Sequence, residues 1–428
     1  MKKTKIEYKW VITGMCFLMV FTVLGFCSSS KTIYLAPITE ALKIDRSAFS
    51  LADSCCYIAI AVVNAFFGSL VARCGAKKLI GAGFLALIVY AVCYARAGSV
   101  WMFCLGGIFH GIGRSWTTTS MVGYLTGKWF REEKGTVMGA ILASNGLGAA
   151  LAVQIVSPII NEEGNPFGYR NAFYLVAAIL AAACVLVLLL YRDPPAEQAK
   201  LPPAAAKKKR GHSWIGMEFS QARRRLWFWL TLLCVLCNGL VLQGVYGVAA
   251  AHMRDVGLDA GFIAAVLSIL SLILAGSKFL TGLIYDRTSL RFTASLCNVA
   301  ALATLYFLSS INATGNGRFY AYAYAVAVCF ALPLETIMLP ILAGDLFGEK
   351  DSARFLGFLV SANTAGYALG GPLMNLCYDR FGTYRPMFTV CAVIMAATLA
   401  LMQIIINIAG RERDKIEKEQ QPENATDI

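Results

Sequence analysis

Long apolar runs recur along the chain, and short polar connections separate almost all of them. A membrane-spanning helix needs about 20 apolar residues. Twelve runs approach or exceed that length, near residues 10–34, 48–71, 78–95, 100–126, 136–160, 171–191, 226–251, 261–284, 292–311, 319–343, 354–378 and 386–409. The widest gap, at 192–225, leaves six runs on either side. The pattern predicts an all-α membrane protein with twelve transmembrane helices in two six-helix halves.

This gap also suggests the division of the chain. We expect an N-terminal six-helix half at 1–191 and a C-terminal six-helix half at 226–410. The segment 192–225 is rich in proline and alanine and then basic, which is typical of a flexible linker close to anionic headgroups. The end of the sequence, 411–428, is charged and reads as a cytoplasmic tail.

The two halves carry related sequence. Three residues recur at an offset of 218: Gly139, Asn145 and Gly148 reappear as Gly357, Asn363 and Gly366. Upstream, Gly68 and Arg73 match Gly282 and Arg287 at an offset of 214. Two apolar halves in parallel repeat are the mark of secondary transporters.

The distribution of charge gives the orientation of the chain in the membrane and makes a nucleic-acid partner unnecessary. With the N-terminus inside, about 27 of the 38 basic residues fall in cytoplasmic segments and about 8 in external loops. The net charge of +13 is therefore explained by membrane topology and requires no nucleic acid. We expect a multi-pass protein of the plasma or inner membrane, with both termini cytoplasmic.

No chemistry of an enzyme stands out. Nearly all of the 14 cysteines lie inside apolar runs, where cysteine packs as a small hydrophobe. We find no Ser/His/Asp set, no metal-spaced His/Cys cluster and no phosphate-binding loop. The sequence predicts neither catalytic residues, nor a cofactor, nor a metal, and we expect the chain to work as a monomer.

Two loops carry a family resemblance. The segments at 68–78 and 282–287 resemble the loop motif of the major facilitator superfamily, with Gly68, Arg73, Gly282, Asp286 and Arg287 at matching positions. In that family the motif gates the cytoplasmic side, and its glycine lets two helices approach closely. The first copy has alanine at position 72, where the family has aspartate. The resemblance therefore implies that gating rests more on the second copy.

A branch of that superfamily is a closer match. Lys128-Trp-Phe with Gly135 and Gly139, and the run from Tyr378 to Tyr384, resemble the helix connections of monocarboxylate porters and oxalate/formate antiporters. These porters bind substrate through a basic residue on the eighth helix, and Lys278 falls at about that place. They also pair it with an aspartate four residues earlier, where this chain has Leu274.

Three cations lie inside predicted spans, where ionisable groups are costly and are functional candidates by default. Arg114, in the fourth span, presents a fork of donors that matches a carboxylate. It either contacts an anionic substrate or bonds carbonyls in helix packing. Lys278 lies about 12 Å from the cytoplasmic end of its span, too deep for easy snorkelling. Lys31, near the outer end of the first span, either takes the substrate's charge or snorkels to the interface.

Two acids complete the candidate set. Asp53, in the second span, is a candidate ion-pair partner of Lys31. Glu335, in the tenth span between Pro333 and Pro340, either carries a proton or neutralises Arg114 or Lys278. Three polar side chains could line the same cavity: Asn363, Tyr367 and Tyr246.

Three intramembrane cations facing few acids favour an anionic substrate. We expect a small organic mono- or dicarboxylate, moved by alternating access through proton symport or anion exchange. Its partners would be the substrate, protons in the symport case, and the lipid bilayer. The alternatives are efflux of drug-like or amphipathic compounds and, in another class, a non-transporting membrane sensor.

Overall fold

The computed structural model describes residues 8–130, 134–162, 164–192, 216–312, 315–348 and 351–420. Within these ranges the chain is helical throughout. The α-helices are α1 (Tyr8–Val20), α2 (Leu35–Leu42), α3 (Arg46–Cys74), α4 (Ala76–Arg96), α5 (Val100–Thr117), α6 (Thr119–Trp129), α7 (Lys134–Ile160), α8 (Gly168–Leu190), α9 (Phe219–Ala222), α10 (Leu226–Asp255), α11 (Ala260–Arg287), α12 (Leu290–Ser309), α13 (Gly317–Ala331), α14 (Met338–Phe347), α15 (Ser352–Phe381) and α16 (Arg385–Gln420).

The predicted membrane architecture is confirmed. Ten segments of the described chain are long and apolar enough to cross a bilayer. The broken fourth span (α5 and α6) and the more polar α15 complete twelve. Large apolar side chains cover the outside of the helices, among them Trp101, Leu189 and Phe279, which are more than 70% exposed. Such a surface suits lipid, since a soluble monomer rarely shows large contiguous apolar patches.

Three spans are interrupted, which the apolar runs did not reveal. After α1, the first span continues as a π-helix, Phe21–Ser28, and a 3₁₀ turn, Ser29–Ile33. The fourth span breaks at Thr118, whose φ of −119° and ψ of −134° are not helical. The tenth span passes through a 3₁₀ turn, Leu332–Glu335, and breaks at Thr336. Thr118 and Thr336 are 218 residues apart, which is the offset of the sequence repeat.

The described residues form two compact units. The first unit takes those within Met1–Lys207, Gly247–Ala275 and Tyr378–Arg380. Its core contains a buried aromatic cluster in which Tyr94 packs against Phe103 at 5.0 Å and Tyr34 against Phe173 at 4.4 Å. Edge-to-face and offset contacts of this kind are favourable beyond their buried area.

The second unit takes the described residues within Lys208–Tyr246, Gly276–Cys377 and Phe381–Ile428. Its aromatic core stacks Phe347 on Phe355 at 4.2 Å and on Trp227 at 5.0 Å. The segment before α10 docks on this core, because the Met217 N–H donates to the Phe347 carbonyl at 3.0 Å. This contact fixes the start of the second half on its own helices.

Glycines set the closest helix crossings in both units. Gly25, in the π-helix, meets the backbone of Gly148 in α7 so closely that neither position has room for a Cβ. In the second unit Gly239 of α10 and Gly366 of α15 form the equivalent crossing. Gly25 and Gly239 are 214 residues apart, and Gly148 and Gly366 are 218 apart. The sequence repeat is therefore also a repeat of helix packing.

Candidate functional site

The first candidate cluster lies in the first unit and begins with Lys31. Lys31 lies within the 3₁₀ turn that follows the π-helix, and irregular turns of this kind are frequent at functional sites. Ser29 donates to the side-chain oxygen of Asn145 at 3.1 Å, which ties the turn to α7. Lys31 forms the predicted ion pair with Asp53 of α3, and its side chain is only 16% exposed.

Arg114 reaches the same cluster because α5 packs very closely on α3. Gly107 and Gly111 of α5 lie against the backbone carbonyls of Ala52 and Cys56, on either side of Asp53. The guanidinium of Arg114 is partly exposed and makes no hydrogen bond or ion pair with any residue that the structure describes. It lies within electrostatic reach of Lys31. A packing arginine would bond neighbouring carbonyls, so its open donors favour a ligand.

His110, one turn before Arg114, is a buried member of this cluster. Its ring stacks on Tyr90 at 4.4 Å, and its two nitrogens face Ser28 at 3.4 Å and the Cys56 thiol at 3.5 Å. Each ring nitrogen thus has a polar neighbour. This arrangement fits a histidine that serves helix packing rather than ligand binding.

The second candidate cluster lies in the second unit around Lys278. The hydroxyl of Ser277 donates to the Cys329 carbonyl at 2.7 Å, which fixes α11 against α13 beside the break in the tenth span. Lys278 is partly buried, and in the described chain it has no direct ion-pair or hydrogen-bond partner. Its charge acts on Glu335 across a longer gap. Of the two cations considered for Glu335, Lys278 is the one beside it.

Glu335 ends the 3₁₀ turn and is 5% exposed. The Tyr367 hydroxyl donates to its Oε2 at 3.0 Å, and the Asn363 amide donates to its backbone carbonyl at 3.4 Å. Its Oε1 is buried with no hydrogen-bond partner among the described residues. Tyr246 lies partly buried on α10, within electrostatic reach of Tyr324.

The loop-motif residues lie at helix ends. Gly68 and Arg73 are in the last turns of α3, and Arg73 is exposed. Gly282 has open space around its Cα, and Asp286 and Arg287 are exposed at the end of α11. Their gating role stays a prediction.

A motif contact that the sequence did not suggest comes from the neighbouring tyrosine. The Tyr285 hydroxyl donates to both carboxylate oxygens of Asp345 at 2.8 Å, joining α11 to α14. A tyrosine and an aspartate 60 residues apart give no local signal of this pairing.

Sequence reasoning also missed a charged cluster around Arg46 in the first unit. The Arg46 guanidinium binds both oxygens of Asp255 at 2.5 and 2.7 Å and lies 3.9 Å from the Tyr378 ring. The backbone N–H groups of Arg46 and Ser47 donate to Asp379, which caps the start of α3. Charges at span ends look like loop residues, and only the fold brings these three segments together.

Comparison with known proteins decides the family. The family model described as Major Facilitator Superfamily matches residues 14–342, well over half of the chain. The chain belongs to the major facilitator superfamily. Membership makes this protein a membrane transporter rather than an enzyme. Among its described residues, no group of three or more His, Cys, Asp or Glu side chains is arranged to hold a metal ion.

Relatives within the superfamily include carboxylate carriers. This major facilitator protein is 24% identical over 425 residues, 94% of each chain, to the oxalate:formate antiporter of Oxalobacter formigenes. Monocarboxylate transporter 10 of Mus musculus is 29% identical over 103 residues, 23% of this chain and 20% of that one. A crystal structure of the nucleoside transporter NupG aligns with a TM-score of 0.73 at 16% identity, covering 93% of this chain and 100% of that one. That likeness concerns the fold.

Proposed function

We propose that this transporter moves a small organic anion, a mono- or dicarboxylate, across the membrane by alternating access. The observation that carries the proposal is that two cationic side chains have no direct partner in the described chain. The side chains of Arg114 and Lys278 lack hydrogen-bond and ion-pair partners in the described chain, although each residue is partly withdrawn from solvent. A cation that is partly buried in a membrane span is destabilised unless an anion pairs with it. A carboxylate supplies both the charge and the acceptor lone pairs.

The names of two relatives support the same substrate class. An oxalate:formate antiporter aligns over nearly the whole chain, and a monocarboxylate transporter aligns over a shorter segment. Neither name identifies the substrate of this protein at such low identity. The cations and the relatives are independent lines of support, since one rests on geometry and the other on sequence.

Two coupling mechanisms suit the charged groups. In proton symport, Glu335 takes up the proton, because its Oε1 is buried without a hydrogen-bond partner in the described chain. In anion exchange, an empty site leaves its cations unpaired, so reorientation is favourable only with substrate bound. We propose that one of these two mechanisms operates, with the plasma or inner membrane as its location and both termini on the cytoplasmic side.

The decisive experiment uses purified protein in liposomes. Uptake of labelled oxalate, formate, lactate and pyruvate is measured with and without internal substrate and with an inward proton gradient. We expect Lys278→Gln to lower kcat/KM by roughly 10- to 100-fold, the loss of one charge-assisted hydrogen bond. Stimulation by internal substrate would indicate exchange, and stimulation by the proton gradient would indicate symport.

The matched control is Lys43→Gln, which removes an exposed lysine just after α2. We expect it to transport like the unaltered protein, and Lys278→Arg to retain part of the activity. Uptake of carboxylates that is indifferent to Lys278 would contradict the role assigned to this residue. Transport of amphipathic compounds with no carboxylate uptake would replace the proposal with the efflux alternative.

A further inference from the structure

We infer that the cluster of Lys31, Asp53 and Arg114 in the first unit accepts one carboxylate of the substrate, and that Asp53 sets this limit by occupying Lys31. This inference rests on the proposed function and deepens it. It also gives Asp53 a role in specificity rather than in coupling.

The charges of the first cluster are few and can be counted. Lys31 and Arg114 are cations within electrostatic reach of each other, and Asp53 is ion-paired with Lys31. In the part of the chain that the structure describes, the other ionisable groups on which the charge of Arg114 acts are His110 and the thiols of Cys27 and Cys56. With the histidine and the thiols neutral, the cluster carries a net charge of +1.

That charge comes entirely from Arg114, because Asp53 already neutralises Lys31. One carboxylate on the guanidinium fork brings the cluster to neutrality. A second carboxylate could pair with Lys31 only by displacing Asp53. If Asp53 stayed in place, the second carboxylate would be an uncompensated negative charge in a poorly solvated site. Placing like charges together is an effective way to exclude a competing ligand.

Helix packing fixes the part of α3 that carries Asp53. The close approach of Gly107 and Gly111 to Ala52 and Cys56 fixes α5 against the α3 turn that carries Asp53. The carboxylate is 34% exposed, whereas Lys31 is 16% exposed. Asp53 is therefore the more accessible of the two side chains. Its carboxylate would repel the second carboxylate of an incoming dicarboxylate.

The test compares wild type with Asp53→Asn in liposomes, using formate and lactate as monoanions and oxalate and malonate as dianions. The readout is the ratio of kcat/KM for dianions to that for monoanions. We expect Asp53→Asn, with a cluster charge of +2, to raise this ratio at least about tenfold above that of wild type. A merely structural role of Asp53 would lower both rates and leave the ratio unchanged.

Three further variants separate charge from structure. Asp45→Asn makes the same charge change at the exposed N-cap position of the same helix, and its ratio should equal that of wild type. Lys31→Gln, with a cluster charge of zero, should lose both substrate types. The double variant Lys31→Gln/Asp53→Asn restores +1 and should restore the ratio of wild type, even if Asp53→Asn alone folds poorly.

The outcomes distinguish the two proposals. If the ratio is the same in Asp53→Asn as in wild type, the charge limit is wrong while carboxylate transport stands. If no carboxylate binds or moves in any variant, the proposed function fails and this inference fails with it.

Discussion

At the scale of single residues, the chain treats its intramembrane charges unequally. Lys31 has Asp53 as a direct partner, whereas Arg114 and Lys278 have none within the described ranges. An isolated buried charge is expensive, so a chain selected for stability alone would pair or remove it. The open cations therefore mark function better than the paired one does.

Glu335 gives a residue-scale prediction about coupling. If it carries the proton, Glu335→Gln should abolish accumulation driven by a proton gradient while leaving exchange of internal for external substrate. The glutamine keeps the size of the side chain and loses the titratable group. Parallel measurements of gradient-driven uptake and counterflow check this. A variant that still accumulates substrate in response to the gradient would exclude Glu335 as the proton carrier.

A second variant, Tyr367→Phe, makes a milder change at the same carboxyl group. Tyr367→Phe removes the hydroxyl that donates to Oε2 at 3.0 Å but keeps the carboxyl group. We expect a partial loss of gradient-driven uptake, roughly tenfold, with the response to the gradient retained. Tyr306→Phe is the matched control, since Tyr306 is 60% exposed on the lipid-facing side of α12.

At the scale of helices, the positions of the spans could be predicted and their interruptions could not. Apolar runs reveal spans because every residue in the bilayer contributes to the signal. Proline is a poor guide to the breaks: Pro158 and Pro372 lie inside continuous helices, while Pro333 accompanies a break. The fourth span breaks at Thr118 with no proline or glycine there.

For the candidate site, the charged residues could be predicted from the sequence, but their pairing could not. The sequence identified Lys31, Asp53, Lys278 and Glu335 because a charge in an apolar run is conspicuous. It could not identify which charges are paired, since that depends on crossings between helices far apart in sequence. The ion pair of Lys31 with Asp53 is made possible by the π-helix and by glycine packing between α3 and α5, and neither feature has a local signature of its own.

Glycine packing gives the helix-scale prediction. Gly148→Ala places a Cβ against the backbone of Phe21, which cannot move aside as a side chain would. We expect a destabilisation of about 1–3 kcal/mol, seen as a lower melting temperature in detergent. Gly139→Ala is the control on the same helix, because nothing lies within 4 Å of its added Cβ. It should be neutral or slightly stabilising.

The repeat extends this test to the other unit. Gly366→Ala meets the backbone of Leu236 and Leu240, so it should destabilise as Gly148→Ala does. Equal melting temperatures for Gly148→Ala and Gly139→Ala would show that the crossing tolerates a methyl group, and the packing argument would then be wrong.

For the whole molecule, the two repeats share their scaffold but not their chemistry. The glycine crossings and the breaks at Thr118 and Thr336 follow the repeat offsets. The charges do not: Lys278 corresponds to Asn64 at an offset of 214, and Arg114 corresponds to Leu332 at an offset of 218. The repeat thus extends to the helix packing, whereas the intramembrane ionisable groups differ between the two halves.

Orientation is the prediction that belongs to the whole chain. The excess of lysine and arginine in alternate connections should place the termini and the linker at 192–225 on the cytoplasmic side, because basic loops resist translocation. A reporter enzyme that is active only outside should be silent when fused in that linker or after Ile428, and active when fused in the connection at 161–167. A fluorescent protein that folds only in the cytoplasm should give the complementary pattern. Activity of the external reporter in the linker would reverse the orientation and move Asp286 to the outer face, which would remove the cytoplasmic gating role assigned to the second loop motif.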